Sequence, residues 1–193
     1  HEGEEELACR IHQRLKREIP NLLTIIVPRH PDRRERIAAI CQKYNAKFTL
    51  RGSAHDLPIE NDDIYIADTM GELGLFYRFC PITCIGRSFS ADGGGGHNPI
   101  EAAQLGCAVL HGAFVQNLMD IYKDMNEAGA AQLVLNEDDF RETLKILLKD
   151  DKKRQALQDA GARFMADRGQ VLDRVMAELQ PFLERTGIAE SAQ

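Results

Sequence analysis

Residues 82–110 read ITCIGRSFSADGGGGHNPIEAAQLGCAVL. Two apolar runs, Ile82-Thr83-Cys84-Ile85 and Ala108-Val109-Leu110, flank a glycine-rich loop and a helix predicted from Pro99 to Leu105. Strand, helix and strand at this spacing make a crossover between parallel strands, which is right-handed in nearly all proteins. The glycines Gly93, Gly94, Gly95 and Gly96 stand directly before the helix start. There Pro99 suits the first helical position, and Asn98 and Glu101 have the spacing of a capping box. Backbone without Cβ atoms approaches a ligand closely, and a helix N-terminus presents unpaired N–H groups to an anion. Phosphate is the expected ligand.

Upstream, Leu7, Ile11, Leu15 and Ile19 recur every four residues between Glu4 and Glu18, the period of an amphipathic helix that Pro20 ends. Leu22 to Val27 is a continuous apolar run closed by Pro28, the pattern of a strand covered on both faces. A helix from about Asp32 to Tyr44, a short strand Phe48-Thr49-Leu50, a strand Ile64 to Ala67 and a helix from Gly71 to Phe79 complete this side. Downstream, a helix from Gln116 to Ala128 and a strand Gln132 to Leu135 follow. The remainder reads as helical, over Phe140 to Leu148 and Lys152 to Glu184, the latter broken near Gly161 or Gly169. Alternation of this kind predicts an α/β fold with a Rossmann-like, doubly wound parallel sheet. His1-Glu2-Gly3-Glu4 resembles a loop feeding a helix without its preceding strand, so the chain is expected to be a fragment.

Composition narrows the partners. A net charge of -6 without a basic stripe argues against nucleic acid, and no apolar run approaches the length of a membrane span. Five cysteines, odd in number and set mostly among apolar residues, suit reduced thiols in the cytosol. Cys80 and Cys84 lack the C-x-x-C spacing, so no metal site and no cofactor are expected.

In open α/β sheets ligands lie beyond the carboxyl ends of the strands. Arg29, between Pro28 and Pro31, either grips a phosphate or pairs with an acidic helix, and His30 either assists it or is solvated. The glycine run is an anion-binding loop or a surface linker. Glu101 either turns back to cap its helix or accepts two hydrogen bonds from a vicinal diol such as a ribose. Thr69 and Glu72 have capping spacing, while Met70 and Gly71 offer an apolar contact and close backbone to a flat base.

Three ordered motifs, Pro28-Arg29-His30-Pro31, Thr69 to Tyr77 (TMGELGLFY) and Gly95 to Glu101 (GGHNPIE), together resemble the 3-deoxy-D-manno-octulosonic acid (Kdo) transferases. The opening His1 to Glu5 also looks like that family's loop after the first strand of its C-terminal domain. The resemblance covers essentially the whole chain and implies the C-terminal half of a GT-B glycosyltransferase. Residues 1–193 would be a single donor-nucleotide-binding domain, with 137–193 a helical extension and with the first strand and the N-terminal acceptor domain missing. The implied enzyme is inverting. It transfers Kdo from CMP-Kdo to a lipid A precursor in lipopolysaccharide biosynthesis, at the cytoplasmic face of the bacterial inner membrane. The catalytic carboxylate and the acceptor surface would belong to the missing domain, so this chain alone is expected to be inactive, soluble and without a catalytic residue.

By the same resemblance Arg29 holds the donor phosphate with His30, and Met70, Gly71 and Glu72 border the cytosine. Gly95, Gly96, His97 and Asn98 face the phosphate, and Glu101 faces the ribose. The loop Gly86 to Asp92 departs from the family's basic, proline-containing version, so Arg87 and Ser90 carry no assigned role. Alternative readings are a nucleotide-sugar epimerase, another GT-B transferase domain or a non-catalytic nucleotide-binding module.

Overall fold

Side chains alternate across each strand, and the helices sort themselves onto the two faces accordingly. The computed structural model describes residues 1–53, 57–90 and 95–185, with only backbone described over 170–175 and 183–185. In chain order the elements are α1 (Glu4–Lys16), β1 (Thr24–Ile26), α2 (Arg34–Lys43), β2 (Phe48–Leu50), β3 (Ile64–Ile66), α3 (Leu73–Phe79) and β4 (Ile82–Ile85). They continue with α4 (Ile100–Gln104), β5 (Ala108–His111), α5 (Met119–Glu127), β6 (Gln132–Leu133), α6 (Glu137–Lys149) and α7 (Asp151–Arg185). All pairings are parallel, with Thr24 opposite Ile64 and Ile82 opposite Ala108.

The strands hydrogen-bond as two sets of three, in the orders β1-β3-β2 and β4-β5-β6. Helix α1 packs on both. Cys9 joins Ile37, Cys41, Ile64 and Ile66 against the first set, whereas Ile11 and Leu15 join Ala108, Leu110 and Phe140 against the second. On the opposite face Val109 packs with Ala102, Ala103, Tyr122 and Met125, and Tyr65 packs with Phe76. Both faces of β3 and β5 are therefore covered by helices, the condition for a parallel sheet. Each fully buried Ile or Leu of these layers contributes about 1.5–3 kcal/mol relative to exposure.

Several boundaries differ from the sequence expectation. The helix expected to break near Gly161 or Gly169 runs unbroken: Gly161 is buried within it against α4, where a Cβ would lie at an ordinary contact distance of 3.6 Å from Ala103 Cβ. Helix α3 starts at Leu73 instead of Gly71, which has φ +81°, and α4 starts at Ile100 instead of Pro99. A 3-10 turn at Gln116–Leu118 precedes α5 where one helix was expected. Helix α6 begins three residues early, at Glu137, because Asn136 accepts a hydrogen bond from the Asp139 N–H at 2.9 Å and acidic residues fill the first turn. Strand β6 pairs only at Gln132 and Leu133, shorter than the run to Leu135 suggested.

Candidate functional site

The loops that follow β1, β2, β3 and β4 supply the candidate site. After β1, Pro28 is buried while Arg29 and His30 are exposed, and Pro31 opens a 3-10 turn that holds the loop. Neighbouring arginines are engaged: Arg33 pairs with Glu5 at 2.8 Å and Arg34 lies 3.7 Å from Asp68. The side chains of Arg29 and His30 have no hydrogen-bond or ion-pair partner among the described residues. The alternative in which Arg29 is tied to an acidic helix is therefore absent from this structure.

The end of the glycine run is a packed turn. Gly95 and Gly96 are buried with φ of +74° and +79°, values that exclude ordinary side chains. The Gly96 N–H donates to the Arg87 carbonyl at 2.8 Å, the His97 N–H to the Gly86 carbonyl at 3.3 Å, and the Asn117 N–H to the Gly95 carbonyl at 3.2 Å. Tyr122 adds a hydroxyl donated to the His97 carbonyl at 2.5 Å. A Cβ on Gly95 would collide with Asn117, and one on Gly96 would meet Val115 and Tyr122. Gly93 and Gly94 lie outside the described residues.

His97 leaves this turn half-buried. Burial pushes its pKa down, and the positive charges of Arg87 and Arg29 push the same way, against the opposing carboxylate of Glu4. The charges of Arg29 and Arg87 thus both reach the His97 ring and disfavour its protonation. Arg87 also has a buried Nε without a hydrogen-bond partner among the described residues. Asn98 is exposed, and its Oδ1 accepts from the Ile100 N–H at 3.0 Å. With five residues α4 has little macrodipole, and the Gly96, His97 and Ile100 N–H groups at its start already donate within the protein, so the N–H cradle expected of the glycine run is largely engaged.

Glu101 is not the reciprocal half of a capping box. Its exposed carboxylate makes no hydrogen bond among the described residues and lies beside α3, where a Cβ on Gly74 would sit 3.5 Å from its Oε1. Burial first, and then the Glu101 charge, raise the Tyr77 phenol to about 12, and that ring packs against the core cluster containing Ala102 and Ala103. Met70 is 71% exposed, and a Cβ added to Gly71 would meet nothing within 4 Å.

Glu72 is placed differently from a free ligand group. Arg51 Nε and Nη2 donate to its two oxygens, both at 2.6 Å, and the Thr69 hydroxyl donates to one of them. Arg51 first, then Thr69, hold this carboxyl down at about 2. The contact between Thr69 and Glu72 expected from their spacing is thus present as a hydroxyl on a carboxylate, and it shapes the loop that displays Met70 and Gly71.

Arg51, Arg87 and Glu4 were not singled out from the sequence. Arg51 follows β2 directly and Arg87 stands two residues after β4, so position shortly after a strand, the rule that led to Arg29, was the available signal. Among the described residues no group of three His, Cys, Asp or Glu side chains is arranged to hold a metal ion, and no helix is long and apolar enough to cross a membrane.

No family model matches the chain. It is 33% identical over 186 residues to a 3-deoxy-D-manno-octulosonic acid transferase of Haemophilus influenzae, covering 96% of this chain and 43% of the relative. It is 35% identical over 185 residues to the enzyme of that name from Rickettsia typhi, covering 95% and 39%. The chain therefore spans about two fifths of the length of these relatives. Among solved structures, the C-terminal CMP-Kdo binding domain of WaaA from Acinetobacter baumannii superposes with a TM-score of 0.78 at 25% identity, over 84% of this chain and 83% of that one.

Proposed function

Because this chain belongs to the 3-deoxy-D-manno-octulosonic acid transferase family and has the fold of the C-terminal half of a GT-B glycosyltransferase, we propose that it is the enzyme's donor-binding domain. Its ligand is CMP-Kdo. The observation that carries this reading is Arg29, exposed after β1 without an ion-pair partner among the described residues, whose charge reaches His97 at the exit of the buried glycine turn. In this reading the chain is a single donor-binding domain, supported by the packing of α1 on both strand sets, with α6 and α7 as its helical extension.

The donor phosphate rests against Arg29, assisted by His30, with Gly95, Gly96, His97 and Asn98 on its other side. Cytosine lies by Met70 and Gly71, on the loop that Glu72 braces, and the ribose hydroxyls donate to the free carboxylate of Glu101. When CMP departs, negative charge grows on its phosphate. A fixed guanidinium stabilises that charge more than the ground state, which accelerates transfer without a metal. In the full-length protein the acceptor is a lipid A precursor, met through another domain at the cytoplasmic face of the inner membrane. That domain supplies the catalytic base, and the isolated chain does not turn over.

Calorimetric titration of CMP and UMP into the chain tests the reading. CMP is expected to bind more tightly than UMP. Arg29→Ala is expected to weaken CMP about tenfold or more, since a hydrogen bond to a charged group contributes about 1.5–3 kcal/mol. Glu101→Gln should weaken CMP but leave cytosine alone unaffected. Equal affinity for CMP and UMP, or Arg29→Ala binding within about twofold of the parent chain, refutes the assignment.

A further inference from the structure

The first residue of α1 reaches across the molecule to the glycine turn's foundation. Glu4 and the loop after β4 are more than eighty residues apart in sequence, yet the Glu4 carboxylate accepts three consecutive backbone N–H groups: Arg87 at 2.8 Å, Ser88 at 3.0 Å and Phe89 at 3.2 Å. Successive N–H groups converging on one anion form a nest, a concavity that needs negative charge to be stable. Arg87 occupies this turn with φ +62°, a left-handed conformation unfavourable for a residue with a Cβ. Three charge-assisted hydrogen bonds to Glu4 offset that strain locally.

The turn so held is the one on which the glycine exit hangs. The Arg87 carbonyl accepts the Gly96 N–H, and the Gly86 carbonyl accepts the His97 N–H. Ser88 anchors the turn independently from the sheet side, donating its hydroxyl to the Ile85 carbonyl at 2.6 Å and accepting the Gly112 N–H at 2.9 Å. Glu4 is thus the anchor from the α1 side, and it sets the orientation of the peptide units that carry Arg87, Gly96 and His97.

We propose that Glu4 is a positioning residue for the phosphate side of the donor site: its carboxylate locks the Arg87–Phe89 turn and, through that turn's carbonyls, the Gly95–His97 exit of the glycine run. This rests on the donor-binding reading for its ligand, while the clamp itself stands on the hydrogen bonds above. Gly86 belongs to the device, because a Cβ there would come 3.0 Å from Glu4 Oε2 and press the carboxylate out of the nest.

The test uses the 193-residue chain, with Glu4→Gln, which keeps the shape but loses the charge, Gly86→Ala as a second way to dislodge the carboxylate, and Glu2→Gln as a control. Amide hydrogen exchange by NMR at Arg87, Ser88, Gly96 and His97 is compared with that at Val109 in the core, and CMP affinity is measured in parallel. Glu4→Gln is expected to speed exchange at Gly96 and weaken CMP by about tenfold each, with Val109 and the Glu2→Gln control unchanged. Saturating CMP should restore protection at Gly96, since ligand and carboxylate select the same conformation. Unchanged exchange at Gly96 in both Glu4→Gln and Gly86→Ala overturns the clamp. Faster exchange with unchanged CMP affinity overturns the positioning role. If the parent chain does not bind CMP at all, the donor reading falls, and faster Gly96 exchange in Glu4→Gln still upholds the clamp.

Discussion

Replacing Gly96 by alanine separates two contributions that the glycine turn combines. Any residue with a Cβ at φ +79° carries a left-handed cost of about 1–2 kcal/mol. At Gly96 the new methyl would also sit 3.1 Å from Val115 Cγ1 and 3.2 Å from Tyr122 Cε2, tighter than ordinary packing. Overpacking of that kind costs about 1–3 kcal/mol, so the expected total is about 2–5 kcal/mol. Gly71 provides the internal comparison, with φ +81° and nothing within 4 Å of an added methyl. Gly71→Ala should therefore lose only the backbone part, about 1–2 kcal/mol, and the smaller unfolded-state entropy of alanine affects both variants alike. Urea unfolding at constant m-value, with thermal midpoints moving about 2–4 °C per kcal/mol, measures both losses. Equal losses in the two variants would show that Val115 and Tyr122 yield freely and that the exit of the glycine run is not clamped.

Gly112→Ala should be more damaging than Gly96→Ala, because its Cβ would overlap the backbone carbonyl oxygen of Ser88, which cannot move without breaking the turn after β4; soluble yield and thermal unfolding check this. Acid stability should report the buried His12–Asp63–Lys16 cluster. Burial pushes the Asp63 carboxyl up, but Lys16, the Lys47 N–H and His12 outweigh it and hold it below its usual 3.8. Its contribution is therefore present above that pH and lost as pH falls through the lower folded value. His12 is depressed from 6.5, chiefly by burial, so stability also declines as pH falls below 6.5. Asp63 raises the His12 value, so Asp63→Asn should deepen the decline just below 6.5 and remove the Asp63 share of the one below 3.8. Urea midpoints between about pH 3 and 8 measure it, and a profile of unchanged shape refutes the assignment.

The order of strands and helices was legible in the sequence, because continuous apolar runs and four-residue periods report burial on two faces or on one. The strands Phe48–Leu50 and Ile82–Ile85 sit where the apolar runs placed them. The motifs around Arg29, Met70 and Asn98 also pointed to the Kdo transferases, which the similarity to relatives bears out. Helix ends were less legible: Gly161 reads as a breaker locally, yet in the folded protein it lies inside α7, buried against α4.

The sequence by itself determined the class of fold, since that follows from local periodicity and from residues adjacent in the chain. Only the tertiary structure decided which charges are free and which are engaged. Glu72 is held by Arg51 from the loop after another strand, Glu4 is seated in a nest built more than eighty residues away, and Glu101 is left exposed beside α3. Pairing energies of this kind depend on distance in space, and separation along the chain does not carry that information.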